Sequence, residues 1–423
     1  MTDTMPDVAT YRQEARAWLE ANLEPRDPSE GLSLRGVGAH RSAEEFALER
    51  ALQRRVFDAG YSGITWPKEY GGQGLSPQHA RAFKDEANNF RMPDLGAAGA
   101  TVDGPSGQTI LAHASPEFLK RHGPKMLAGE ELFAQLFSEP GAGSDLGGIT
   151  TRAVKDGEHW VLTGSKIWSS GAADADYGMC LARTDWEATK HRGLTWFAVP
   201  LDAKGVTVEP IKEINGSSDF CQEFLDEVEV PDEDVIGEVN EGWAVAQTML
   251  LYERGSGSDD PRLLPGVERG VDGHVVEMAT RSGKIKDPAA RQLIARIHTM
   301  DWLKVQLSKR VAGLMRTSDR PPASIASYWK LASGVFDPVR AQMVTELAGG
   351  GALGWHEGDE PGRLLSINHL NSRVWSIAGG SNEIQRNSIG ERALGLPREP
   401  SFDTNKPFSE VVRAAQNWTG KPS

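Results

Sequence analysis

The feature that most constrains this chain is a change of texture near residue 134, where helical spacing gives way to strand alternation for about 100 residues and then returns. The stretch "TRAVKDGEHWVLTGSKIW" (151–168) alternates apolar and polar side chains and carries Asp156-Gly157 as a hairpin turn. "YGMCLAR" (177–183), "GLTWFAVPL" (193–201) and "CQEFLDEVEVP" (221–231) follow as further strands between turn residues. Ahead of this segment, Tyr11, Ala15, Trp18 and Leu19 form a helical stripe. Ser42 and Glu45 then make a capping box before Leu48, Leu52 and Val56, with Gly60 as the stop. Behind it, Leu293, Ile297, Met300, Leu307, Val311 and Leu314 recur at near-heptad intervals after an Asp287-Pro288 start, and "SDRPPAS" separates them from a helix through Tyr328 to Leu347. The expected order is an N-terminal α-helical domain (1–133), a middle β domain (134–239) and a C-terminal α-helical bundle (240–423).

Composition removes several classes of function. With 39% hydrophobic and 25% charged residues, a chain of 423 residues has ample material for packed subdomains. Its 46 basic and 59 acidic residues give a formal charge of -13, and no Lys/Arg block tracks a phosphate backbone, so nucleic acid is not an expected partner. No run of about 18 apolar residues predicts membrane insertion, and the N-terminus lacks a cationic start followed by an apolar stretch. Cys180 and Cys221 match no metal-ligand spacing and read as two buried free thiols, which suits a cytoplasmic location with no metal site.

Two short segments bear on chemistry. "SEPGAGSDLGG" (138–148) contains Gly-x-Gly but leads into strands rather than a helix, so it fails the context of a dinucleotide fingerprint. It reads either as a turn-rich connector or as a backbone cradle for a polar ligand. "MLLYERGSG" (249–257) closes an apolar helical run with Glu253 and Arg254. Ala246, Met249, Leu250 and Glu253 share one face, so the carboxylate is either wet at a helix end or functional.

Four spaced motifs, "FSEPGAGSD" (137–145), "GSKIWSSGA" (164–172), "VEVPDEDVIGEVNEGW" (228–243) and "IAGGSNEIQRNSIGERALGLPR" (377–398), give a chain that resembles the acyl-CoA dehydrogenases. The resemblance implies an α+β multi-domain fold with an N-terminal helical domain, a central β-barrel-like domain and a C-terminal four-helix bundle. It also implies FAD as cofactor and α,β-desaturation of an acyl-CoA thioester. Gln135, Phe137 and Ser138 match the strand that passes the flavin, Trp168 the tryptophan that packs on the ring, and Ser170 the group that bonds near flavin N5. Without the resemblance, Trp168 reads as a core tryptophan. Ser144, Arg254 and Gly380 match positions toward the substrate, and Arg281 a contact to the flavin pyrophosphate of a neighbouring subunit.

Many members carry the catalytic base just before the Gly-Thr or Gly-Ser pair of the C-terminal motif, and here that position is Gly379. A second branch, as in isovaleryl-CoA dehydrogenase, keeps glycine there and places a glutamate on the first long helix of the C-terminal domain, followed by arginine. "YERG" matches it, so the resemblance makes Glu253 the base and the Gly379 N–H a donor to the thioester oxygen, with Glu383 as a weaker competing carboxylate. In "ATRSGKIKDP" (279–288) Arg281 remains without its usual aromatic partner, and in "TELAGGGA" (345–352) Glu346 and Ala348 replace an amide and an aromatic. Those changes suggest a mixed oligomer in which only some flavin sites are complete; the expected assembly is a homotetramer or a hetero-tetramer with a paralogous subunit, and an electron-transfer flavoprotein is the implied acceptor. A non-catalytic or half-site subunit and a flavin monooxygenase or oxidase relative are the competing readings.

Overall fold

In the computed structural model, residues 5–26, 42–102, 104–255, 267, 270–317, 323–401 and 403–417 are described. The first helices are α1 (Val8–Asn22), α2 (Ala43–Asp58), α3 (Pro77–Ala87), α4 (Gly96–Val102), α5 (Pro105–His113) and α6 (Pro116–Leu127). The expected stripe of α1 buries Tyr11, Ala15 and Leu19, and both halves of the Ser42/Glu45 capping box form at the start of α2. Gly60, just past the end of α2, adopts the left-handed φ of +81° that a helix stop of this kind favours.

Strands β1 (Phe133–Leu136), β2 (Arg152–Asp156), β3 (His159–Ser170), β4 (Tyr177–Arg183), β5 (Leu194–Pro200), β6 (Val206–Pro210), β7 (Phe220–Pro231) and β8 (Val235–Ile236) form one sheet. Its order is β6-β7-β3-β2-β4-β5-β8, with β1 paired in parallel to β4. The short β6, "VTVEP", is absent from the sequence reading, because five residues with little burial give a weak alternation signal. Cys180 and Cys221 are buried and free, as expected, and burial pushes their thiols up to about 12 and about 11.

The chain then returns to helices: α7 (Gly242–Gly255), α8 (Gly273–Arg281), α9 (Pro288–Thr317), α10 (Ala323–Ala348), α11 (Glu360–Asn371), α12 (Asn382–Ser388) and α13 (Phe408–Gln416). Helix α10 packs against α7, α8, α9, α11 and α12, which makes it the central member of this group. No helix among the described residues is long and apolar enough to cross a membrane.

One apolar cluster ties the sheet to the helices on either side of it in the chain. Ile110, Phe118, Phe133, Trp196, Ala246 and Met249 belong to a single buried core, so α5, α6, β1, β5 and α7 are packed together through it. Burying each large side chain in it contributes about 1.5–3 kcal/mol relative to exposure.

Ionisable groups occupy core-facing strand positions as well. On β3 the period-2 row of Trp160, Leu162 and Gly164 continues to Lys166, which is fully buried. Its Nζ donates to Glu139 Oε1 at 2.8 Å and to the Phe137 carbonyl at 3.1 Å. Burial pushes the Glu139 carboxyl up, but the Lys166 charge and the donors from Lys166, Thr150 and Thr151 outweigh it and hold the group below its ordinary value. Glu223 stands opposite Lys166 in the β3–β7 register and is also fully buried. It accepts the Ser169 hydroxyl at 2.8 Å, and burial pushes its carboxyl up to about 7.

This buried network makes the fold sensitive to charge and to pH. Lys166→Met leaves the buried Glu139 charge without its cation and should destabilise the fold by about 3–5 kcal/mol in denaturant unfolding; a loss under about 1 kcal/mol would contradict the pairing. Folded Glu223 holds its proton up to about pH 7, while an ordinary carboxyl releases it near 4.5. Between those values the folded state binds more protons, so stability falls as pH rises. Unfolding midpoints measured across that window should decline for the native chain relative to Glu223→Gln, and parallel curves would refute the assignment.

Candidate functional site

The site is built where β1 runs past β3. After β1 ends at Leu136, Phe137 turns its ring edge to Trp196 at 4.7 Å, and the Ser138 carbonyl accepts the Ile167 N–H at 2.9 Å. These contacts, with the Lys166 bond to the Phe137 carbonyl, tie the chain after β1 to the middle of β3.

There the β3–β7 register slips. Ile167 faces Gln222 and Ser169 faces Cys221, which leaves Trp168 between them as a bulge. Its φ of +68° is a left-handed conformation that a bulky residue adopts at a cost of about 1–3 kcal/mol. The bulge turns the indole outward, 56% exposed, with the Phe220 ring edge-on at 5.9 Å. Without the resemblance Trp168 reads as a core tryptophan, whereas the slip puts it on the surface, where the match to the flavin-packing tryptophan needs it. An exposed aromatic face held by a strained backbone fits a flat ring stacked on it, and the adjoining segments carry Ser138 and Ser170, both partly buried. These residues fit the isoalloxazine of FAD.

The glycine loop leaves β1 through Glu139. Glu139 and Ala142 exchange two backbone hydrogen bonds of 3.0 Å, and the Glu139 carboxylate accepts the N–H groups of Thr150 at 2.7 Å and Thr151 at 2.9 Å. The loop is thus closed at its base by one side chain. Between, a Cβ added at Gly141 or Gly143 would meet nothing within 4 Å, and Ser144 is exposed. The open backbone admits a ligand close to the main chain.

The second half of the site lies at the end of α7. Ala246 and Met249 are fully buried and Glu253, one turn beyond Met249, is partly buried. The Gln135 Nε2 approaches Met249 Sδ at 3.5 Å, which links β1 to the helix that bears Glu253. Gly379 has a left-handed φ of +67° and Gly380 one of +91°. A Cβ at Gly379 would lie 3.4 Å from Glu253 Oε1 and 3.2 Å from Lys330 Cε. Buried Gln385 secures this turn by donating to the Gly379 carbonyl at 2.8 Å and to that of Gly380 at 3.3 Å.

The structure thus ties Phe137 and Ser138 to β3 at Lys166 and Ile167, just ahead of Trp168 and Ser170, links Gln135 to Met249 on α7, and brings Glu253 to Gly379. Arg281 stands at the end of α8, in an ion pair with Asp359 at 2.6 Å. Glu383 is exposed and pairs with Arg386 at 3.3 Å. The side chain of Arg254 lies outside the described residues. Sequence reasoning missed Lys166, Glu139, Glu223, Lys330 and Gln385. The signal for Lys166 and Glu223 was present, since each interrupts an apolar strand row with a charge.

The geometry can be set beside known proteins. The family model for the N-terminal domain of acyl-CoA dehydrogenase matches residues 6–130, and that for its middle domain matches residues 134–228. Acyl-CoA dehydrogenase IpdE1 of Mycobacterium tuberculosis is 35% identical over 399 residues, covering 93% of this chain and 99% of the relative. Acyl-CoA dehydrogenase FadE34 of the same organism is 36% identical over 88% of this chain and 50% of its own length. Among solved structures, the Tcur3481-Tcur3483 steroid ACAD matches with a TM-score of 0.73 and 29% identity, over 94% of this chain and 100% of that one. The ChsE4-ChsE5 complex from Mycobacterium tuberculosis matches at 0.72 and 28%, over 95% and 100%. Shared sequence along almost the entire chain, together with a bulged tryptophan beside a glycine loop, leads to one conclusion: this chain belongs to the acyl-CoA dehydrogenase family.

Proposed function

We propose that the chain desaturates an acyl-CoA thioester between its α and β carbons, with Glu253 as the base. The observation that carries this reading is the 3.4 Å between Glu253 Oε1 and the place a side chain at position 379 would begin. A carboxylate on α7 reaches the spot that a residue in the C-terminal turn would otherwise fill. In this reading Glu253 takes the α-proton, and the Gly379 N–H donates to the thioester oxygen as negative charge develops there. FAD supplies the two-electron acceptor for the hydrogen leaving the β carbon. Trp168 shields one face of the site from water, while Ser138 and Ser170 orient polar edges. Ser144, Gly380 and Arg254 are assigned to the substrate side.

The domain limits of 134 and 240 belong to the same proposal, because they set the strands that hold the cofactor against the helix that holds the base. The relatives named as a steroid ACAD support a bulky, steroid-derived acyl group. The hetero-complexes among them support assembly with a paralogous chain, and an electron-transfer flavoprotein is the proposed acceptor. Arg281, paired to Asp359, fits a chain whose contribution to a neighbour's cofactor is altered.

Glu253→Gln should retain flavin and lose about 10²- to 10⁴-fold in anaerobic flavin bleaching, scored with steroid-derived and straight-chain thioesters. Wild-type turnover in that variant would remove Glu253 from the chemistry. The chain purified alone should hold less than one FAD per subunit and fill its sites on adding a paralogous subunit; full occupancy in a stable homotetramer would overturn mixed assembly.

A further inference from the structure

Lys330 is a cation at this site to which the proposed reaction gives no role. It lies on α10, only 3% exposed, among Ala326, Ser327, Trp329 and Ser333, all of them buried. An ammonium taken out of water costs several kcal/mol, so its surroundings must compensate it. Its Nζ donates to the Trp375 carbonyl. Its Cε stands 3.2 Å from the point where a Cβ on Gly379 would sit, the same point that lies 3.4 Å from Glu253 Oε1. The lysine stem and the glutamate carboxylate therefore converge on one glycine.

The same helix holds the turn at a second place. One turn beyond Lys330, the Gly334 carbonyl accepts the Ser376 hydroxyl at 2.8 Å and the Asn382 amide at 3.2 Å. A Cβ on Gly334 would come within 2.8 Å of the Trp375 carbonyl, so glycine is what permits the approach. Helix α10 thus grips the Trp375–Asn382 segment on both flanks of Gly379.

We infer that Lys330 is a positioning residue of the reaction, holding the Trp375–Gly380 turn against Glu253 and favouring the ionised, proton-accepting form of that carboxylate. The inference rests on Glu253 being the base. The elements packed against α7 carry the other groups that could face Glu253. Helix α5 offers His113, bonded at 2.8 Å to Thr248, more than a turn earlier on α7, and β5 contributes no ionisable side chain. The turn at 377–381 has none, and Glu383 on α12 is exposed and paired with Arg386. On α7 itself the next residue is Arg254, whose side chain lies outside the described residues.

The lysine stem and the Glu253 carboxylate approach the same point beside Gly379, and a nearby opposite charge lowers a carboxyl pKa by up to about 1–3 units. In the flavin-loaded full chain, Lys330→Met should therefore move the acid limb of kcat/KM upward, by up to about 1–3 pH units, while Lys330→Arg keeps it near its native place. A second readout needs no turnover. Thermal midpoints against pH for Lys330→Met, Glu253→Gln and the double variant should show a smaller loss from the lysine change once Glu253 is an amide. If the methionine variant fails to fold, Lys330→Gln, which keeps a donor and drops the charge, gives the same comparison. An unshifted acid limb with additive midpoint losses overturns the inference. Native turnover in Glu253→Gln would overturn the base assignment instead, so the two failures are distinguishable.

Discussion

The close approach of α7 to a turn that has only main chain at its apex is the constraint on which the site depends. Gly379 and Gly380 both hold left-handed φ values, which side chains resist, and the space beside Gly379 is the space Glu253 enters. A carboxylate at 379 and a carboxylate at 253 would compete for one volume. The chain resolves that competition in favour of the helix, and buried Gln385 and Lys330 hold the turn in the shape that makes room.

The cofactor side rests on a different device. A register slip of one residue in the β3–β7 pairing lifts Trp168 out of the core, and the fully buried Lys166, with Glu139 and Glu223 nearby, fixes the strand beneath it. Lys166 bonds both the carbonyl of Phe137 and the carboxylate that closes the glycine loop. Three parts of the site therefore share one ammonium. The shared core of Phe133, Trp196 and Met249 then couples this side to α7.

Much of the architecture was legible in the sequence, because its elements are long and their periods differ. The capping box of α2, the Pro288 start of α9 and the strands β4, β5 and β7 needed only local patterns. The approach of Glu253 to Gly379 was legible only through the family resemblance, since more than a hundred residues separate the two. The flavin-facing match of Trp168 likewise came only through the resemblance, while the bulge that exposes it was not legible, because a bulge depends on how β3 and β7 pair and not on the residue itself. Lys330 was likewise hidden, since a lysine within a helix gives no local sign that its stem is buried against a distant glycine.

The most direct test of the central claim is solvent-deuterium incorporation at the α carbon of a bound acyl-CoA under anaerobic conditions. The native chain and a Glu253→Gln chain of equal flavin content would be compared. A base on α7 predicts rapid exchange in the native chain and near-complete loss of it in the variant. Equal exchange in both would mean that another group takes the proton, and the pairing of Glu253 with Gly379 would be packing alone.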